Sequence, residues 1–253
     1  IRDGFASRGL GDVYKRQGAN NLREALASEM NMRVSENNIL GTSTSIQGIS
    51  GNNVKVLIDG VPVVGRLDGN IDLSQINLNN IERIEIVQGP LSVTYGTNAL
   101  AGAINLITKK SQKEKFVGNF GTYYETVGQY NLTGSFGLHQ EGHSMSFSGG
   151  RNFFDGWSPA IADTSRFQQW KPKEQLFGHL QYAYLINKFK IHLSSSFFQD
   201  DILNRGHRLM PYYETAFDDY YATKRLSNAL HLSDEIGEHK NIILTLAHNH
   251  YRR

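Results

Sequence analysis

From Phe116 onward the chain alternates apolar and polar residues with a period of two, the spacing of a strand with one apolar face. The clearest run sets Tyr130, Leu132, Gly134, Phe136 and Leu138 against Asn131, Thr133, Ser135, Gly137 and His139. Met145 and Phe147 oppose Ser144, Ser146 and Ser148, and Leu176, Leu180, Tyr182, Tyr184 and Ile186 oppose His179 and Gln181. Phe189, Ile191, Leu193 and Phe197 oppose Lys190, His192, Ser194 and Ser196. With Phe116–Glu125 in front and weaker runs at 226–232 and 242–250, about seven strands are expected, each near the roughly 9 to 11 residues that a tilted strand needs to cross a bilayer. If Phe116–Glu125 runs outward, the inner connections at 140–143, 187 and 234–240 are brief, while 154–172 and 200–220 on the outer side are long, as in outer-membrane barrels. The short link at 127–129 breaks that contrast, and a water-soluble antiparallel sandwich alternates in the same way.

Ahead of a polar shift at Ser111-Gln112-Lys113-Glu114-Lys115 the pattern is mixed. Asn21 can cap a short helix that Glu24 reciprocates three residues later, with Leu22, Ala25 and Leu26 on its buried side. Met32 and Val34 suggest a short strand, and the polar stretch 35–45 reads as a loop or apex. Val54, Val56 and Ile58 alternate with Lys55 and Leu57 up to the turn signal Asp59-Gly60. Ile81, Ile84 and Ile86 mark another strand, stopped by Gly89-Pro90 because proline offers no ladder donor. The small residues Gly96, Ala99, Ala101, Gly102 and Ala103 let backbone approach backbone.

Three ordered clusters carry a family resemblance: Leu57-Ile58-Asp59-Gly60-Val61-Pro62; Ile81-Glu82-Arg83-Ile84-Glu85-Ile86 followed by Gly89-Pro90; and Tyr95-Gly96 leading through Asn98-Ala99 to Gly102-Ala103-Ile104-Asn105. They resemble the plug domain of a TonB-dependent outer-membrane receptor. The resemblance implies an α+β plug domain at 18–110 followed by antiparallel transmembrane β-barrel strands at 111–253, about 7 of the about 22 strands of a plugged transporter. A barrel of that size would not close within this chain, and an open arc with an apolar outer face should aggregate if made alone. The implied function is import of a scarce metal chelate, such as a ferric siderophore, cobalamin or haem, across the outer membrane of a Gram-negative bacterium. Energy would come from the inner-membrane TonB complex, acting through a box upstream of the plug. The implied partners are TonB, a small-molecule chelate and outer-membrane lipid, with no nucleic acid; the complete receptor would be a monomer, with no catalytic residue, resident metal or cofactor. Family-matched ligand contacts are Asn37, Asn38, Thr42 and Ser43 in one plug apex and Val64, Arg66 and Asp68 in a second. The loop aromatics Trp157, Trp170, Tyr212 and Tyr213 join them. Where many plugs carry cations that latch onto acidic barrel residues, this chain has Gln47 and Gln88, which implies a non-acidic facing wall.

Residues 1–17 resemble translated sequencing adaptor: Asp12-Val13-Tyr14-Lys15-Arg16-Gln17 and Ile1-Arg2-Asp3 are two reading frames of one transposon end, and such a segment is set aside from fold reasoning. Four of the 26 basic and two of the 24 acidic residues lie there, leaving 22 of each, so net charge points to no partner. Zero cysteines exclude a disulfide scaffold and a thiolate metal site. No run of about 18 apolar residues occurs, which says nothing of a β-barrel. His248 with His250 reads as two residues sharing a strand face rather than a metal pair. Asp200-Asp201 and Asp218-Asp219 could offer a Ca²⁺ environment, yet paired acids in long loops are usually solvated. Paired carboxylates also suit a glycosidase, but none lies in an apolar context that would raise its pKa. The other class left open is a β-rich surface or secreted glycan-binding protein.

Overall fold

A computed structural model of the protein describes residues 7–10, 19–27, 32–37, 41–46, 48–67, 70–88, 99–109, 114–159, 166–236 and 240–253. The chain divides into two compact units, Ile1–Lys110 and Ser111–Arg253.

The first unit contains β1 (Ser7–Leu10), the helix α1 (Leu22–Leu26), β2 (Met32–Asn37), β3 (Gly41–Ile46), β4 (Ile49–Ser50), β5 (Val54–Ile58), β6 (Val61–Pro62), β7 (Arg66–Leu67), β8 (Asn70–Ile71), β9 (Ile81–Gln88) and β10 (Gly102–Thr108). The main sheet has the order β1-β9-β10-β5-β6, with β10 parallel to β5 and antiparallel to β9. β1 falls in the adaptor-like segment, where its backbone pairs antiparallel with β9, Ser7 opposite Val87.

A helix as short as α1 has no stability of its own. Its N-terminus is closed by Asn21, whose Oδ1 accepts the Glu24 N–H at 3.1 Å. Glu24 in return accepts the Asn20 N–H and the Asn21 side-chain amide, each at 2.7 Å, so the reciprocal backbone bond reaches one residue further back than in a capping box. Leu22, Ala25 and Leu26 are buried in a core shared with Ile46, Leu73, Ile84, Ile104 and Leu106.

Two expectations for this unit change, and the expected strand at Ile81–Ile86 gains a detail. The stretch 35–45 is largely a hairpin rather than a loop, because β2 and β3 pair from Met32–Ile46 to Asn37–Gly41. Its β-branched Thr42 and Thr44 favour strands, but they stand among serines that are equally polar, so no period shows. β5 is buried on both faces, at Val56 and at Leu57, rather than on one. The spacing of Ile81 and Ile84 is odd for one strand face, and a bulge explains it: Ile107 faces Arg83 but Thr108 faces Ile81, leaving Glu82 as the extra residue. At the start of β10, a Cβ on Gly102 would sit 2.7 Å from the Val87 carbonyl oxygen and 3.0 Å from Ile46 Cδ1, which is why a glycine stands there.

The second unit is one antiparallel sheet of consecutive neighbours: β11 (Phe116–Glu125), β12 (Gln129–Gln140), β13 (His143–Phe154), β14 (Lys173–Ile186), β15 (Phe189–Arg205), β16 (Asp218–Ile236) and β17 (Lys240–Arg252). All seven expected strands are present, in the expected register of faces. The apolar face is the exposed one: Leu132 is 47% exposed beside Asn131 at 4%. Phe136, Leu138, Met145, Phe147, Leu180 and Leu193 are likewise exposed, while Ser148, Gln175, Gln181 and Thr223 are buried.

β15 and β16 run to 17 and 19 residues, well past the expected length, because the ladder continues from Asp200 opposite Thr223 to Arg205 opposite Asp218. The residues there come as like pairs, Asp200-Asp201, Ile202-Leu203, Asp218-Asp219 and Tyr220-Tyr221, and so carry no alternation to read. The second long connection therefore shrinks from 200–220 to 206–217. It shares an end of the sheet with 155–172 and the short link 126–128, and the turn Glu141-Gly142 at the other end has positive φ at both residues, as a tight hairpin requires.

Candidate functional site

In the first unit the motif residues form a connected polar lattice rather than a ligand pocket. Asp59 and Gly60, at φ 48° and 80°, make the two-residue turn between β5 and β6. The Asp59 carboxylate accepts the Thr108 N–H at 3.0 Å and its hydroxyl at 2.6 Å, and the Gly60 N–H donates to Asn105 Oδ1 at 3.1 Å. Asn105 is buried and its amide donates to Glu85 at 3.4 Å, while Arg83 Nε binds the other oxygen of Glu85 at 2.9 Å. Three strands are thereby tied through side chains as well as ladders. Pro62 closes β6 at the sheet edge, where its missing N–H costs nothing.

The two apical segments lie near each other, since β3 neighbours β8. Asn37, Thr42 and Ser43 belong to the β2–β3 hairpin, Val64 is half-buried after β6, and Arg66 pairs with Ile71 in the β7–β8 hairpin. Asn38 and Asp68 lie outside the described residues, as do Gln47, Gly89, Pro90, Tyr95, Gly96 and Asn98. Gln88 ends β9, opposite Gly102.

In the second unit the two long connections meet. Trp157 and Trp170 exchange backbone N–H···O bonds of 2.9 and 2.8 Å and bring their rings to 4.9 Å, closing the 155–172 connection near its base. Both indoles remain more than a third exposed. Tyr212 and Tyr213 are exposed on the other connection, Tyr213 held by its N–H to the Leu209 carbonyl at 2.9 Å.

Residues that the sequence did not bring together join the two connections. Arg166 binds Asp218 at 2.6 Å, Asp218 also accepts the Gly206 N–H at 3.2 Å, and Phe167 stacks on His207 at 4.2 Å. Lys171 is buried, with Nζ 3.7 Å from the Phe167 ring centroid and no hydrogen-bond partner among the described residues. Desolvation pulls its pKa below the ordinary 10.5. The acidic pairs do not converge on a cation. Adjacent strand residues face opposite ways, and Asp200 meets Lys173 at 3.7 Å, Asp201 accepts from Gln199 at 2.6 Å and Asp219 from Asn204 at 3.1 Å. His248 and His250 share the exposed apolar face of β17. A groove of about 540 Å³ opens along the edge of the sheet between Tyr124, Tyr130, Arg151, Phe153 and Asp155, away from the aromatics expected to meet ligand.

The description of the family model that matches residues 11–103 is TonB-dependent Receptor Plug Domain. These residues are a TonB-dependent receptor plug domain. The plug region is similar to the vitamin B12 transporter BtuB of Vibrio cholerae serotype O1, 33% identical over 106 residues that make up 41% of this chain and 17% of that protein. The ferric enterobactin receptor of Pseudomonas aeruginosa is 28% identical over 127 residues, 44% of this chain and 17% of that protein. Matches to these curated relatives thus span about a sixth of their length. Plug and sheet together share the fold of solved structures. The ferric enterobactin receptor PfeA in complex with BCV-L6 superposes with a TM-score of 0.74 at 17% identity, covering 98% of this chain and 41% of that one. The unliganded ferric citrate transporter FecA gives 0.71 at 17% identity, covering 98% and 40%.

Proposed function

We propose that this chain is the plug and first barrel strands of a TonB-dependent receptor that imports a small metal chelate across the outer membrane. One observation carries the proposal: a plug domain stands in the same chain as a consecutive antiparallel sheet whose apolar residues face outward. A glycan-binding protein in water would have to expose Leu132, Phe136, Phe147 and Leu193 to solvent, whereas lipid takes such a face readily.

In this reading 18–110 is the plug, 111–253 belongs to the barrel and 1–17 is not native. The receptor is an outer-membrane monomer that draws on TonB and performs no covalent chemistry. The β2–β3 and β7–β8 hairpins, with Trp157, Trp170, Tyr212 and Tyr213, contact the chelate. Because Gln47 and Gln88 stand where many plugs carry latching cations, this reading expects the complete receptor to lack their usual acidic partners. The relatives' names supply the candidates: cobalamin, a ferric catecholate and ferric citrate.

The test is uptake of radiolabelled cobalamin, ferric enterobactin and ferric citrate by cells expressing the whole receptor, in hosts with and without TonB. Accumulation of one chelate only in the TonB-containing host is expected. A receptor absent from the outer-membrane fraction, or uptake indifferent to TonB, would overturn the proposal.

A further inference from the structure

On the polar face of the seven-stranded sheet two histidines stand side by side. His192 of β15 is directly opposite His231 of β16, and their rings lie 5.7 Å apart at an interplanar angle of 28°. Thr245 of β17 is opposite His231 in turn, with its Oγ1 3.0 Å from His231 Nδ1. His231 Nε2 is buried and has no hydrogen-bond partner among the described residues. The positions around the pair are small: Ala183 faces His192 from β14, and Ala229, next along this face of β16, stands between Ser194 and Ala247. In the receptor reading proposed above, on which the placement rests, this face lines the inside of the barrel.

Stacking accounts for the ring separation but not for the orphan nitrogen. With Nδ1–H donated to the Thr245 hydroxyl, Nε2 keeps its lone pair, and an outer hydrogen bond of this kind fixes the tautomer and aim of a metal-binding imidazole. Two imidazoles on one ion, bound through nitrogens at about 2.0–2.1 Å, have centroids roughly 5 Å apart. The pair is near that spacing already, and the broad χ2 torsion of histidine lets both nitrogens turn toward one point. We propose that His192 and His231 form a binding site for a divalent first-row transition-metal ion, with Thr245 as a positioning residue and water completing the coordination beside the alanines. Among the described residues no three His, Cys, Asp or Glu side chains gather around one point, so the protein supplies two donors. Lys190, opposite Ser233 on the same face, adds a repelling charge. Two neutral imidazoles with no carboxylate favour copper(II) over nickel(II) and zinc(II), and suit neither magnesium nor calcium. The site is a weak and open one, fit for an ion in passage rather than for a structural metal.

The intact receptor carrying this sequence is purified in detergent without a polyhistidine tag and titrated with copper(II) chloride. Electron paramagnetic resonance reads the bound copper, and heat-modifiable migration reports the folded barrel. Wild type is expected to hold one copper ion more than His192→Gln/His231→Gln, with the hyperfine pattern of two nitrogens in the difference spectrum. Thr245→Val should keep that pattern while weakening the ion about tenfold, and Thr245→Ser should restore the affinity. His248→Gln/His250→Gln, on the opposite face of β17, should bind as wild type does. A folded His192→Gln/His231→Gln variant with the wild-type copper spectrum overturns the site while leaving the receptor reading in place, as does an equal loss in His248→Gln/His250→Gln. A wild-type protein with no heat-modifiable form sinks the barrel reading and the pair's place inside it, whereas the copper difference still decides the pair.

Discussion

The two units bury opposite halves of their sequence. In the plug unit Ile84, Ile104 and Leu106 are wholly buried, and the buried polar residues Asn105 and Thr108 belong to the lattice around Asp59; in the seven-stranded sheet Asn131 and Thr223 are buried while Leu132 and Phe147 are exposed. In the seven-stranded sheet the two-residue alternation says which residues share a face and not which face is wet. Polarity of burial is what separates a strand folded for water from one folded for lipid.

The largest effects should come from reversing each unit's polarity. Ile104→Ala empties a fully buried position and is expected to cost about 2 to 5 kcal/mol. Leu193→Arg, at a position 43% exposed, should cost about 2 to 4 kcal/mol if that face lies near the middle of a bilayer and almost nothing if it faces water. Equilibrium unfolding in phospholipid vesicles measures both, and a Leu193→Arg variant as stable as wild type would remove the contrast between the units.

A smaller effect is expected at Asp59, whose two bonds to Thr108 hold the β5–β6 turn against β10. Asp59→Ala should destabilise the plug unit by about 1 to 3 kcal/mol and speed hydrogen exchange at the Thr108 and Gly60 amides. Unchanged exchange at both would show that the lattice adds nothing to the ladder.

Lys171 should give the smallest. Its pKa is lowered by burial, so the folded state binds fewer protons than the unfolded one; its contribution is complete above about 10.5 and is lost as pH falls through the lowered value. Lys171→Met is expected to stabilise the joined connections by about 1 kcal/mol at neutral pH and to flatten their alkaline rise in stability. Exchange of the Leu203 N–H, bonded to the Pro172 carbonyl at 3.1 Å, is a local readout, and an alkaline rise that persists in the variant would assign it elsewhere.

Strand identity was legible wherever one face was apolar, as in β12, where Leu132, Phe136 and Leu138 mark one face of the strand. Strand ends were not, because Gln199–Arg205 and Asp218–Lys224, though paired in the ladder, carry no period-two polarity signal. The β2–β3 hairpin was missed for the same reason, its Ser and Thr residues being polar on both faces. The motif residues pointed to a plug, but that Asp59 would bond Thr108 and Asn105 would bridge Gly60 to Glu85 is tertiary information. The junction of Arg166 with Asp218 spans 52 positions and left no local trace. Which apical and loop residues meet a ligand is a matter of contact with a molecule, and no spacing encodes that.

The Asp59 lattice also bears on the order in which the chain acquires structure. In the seven-stranded sheet every strand pairs with its neighbour in sequence, so it can grow one hairpin at a time, the widest gaps being the 155–172 and 206–217 connections. The bonds from Gly60 to Asn105 and from Thr108 to Asp59 join residues 45 and 49 apart, and the parallel β5–β10 pair they secure gains nothing until that long segment has closed on itself. The entropy of closing it must be met before any contact repays it, which makes the smaller, water-facing unit the kinetic bottleneck of the two.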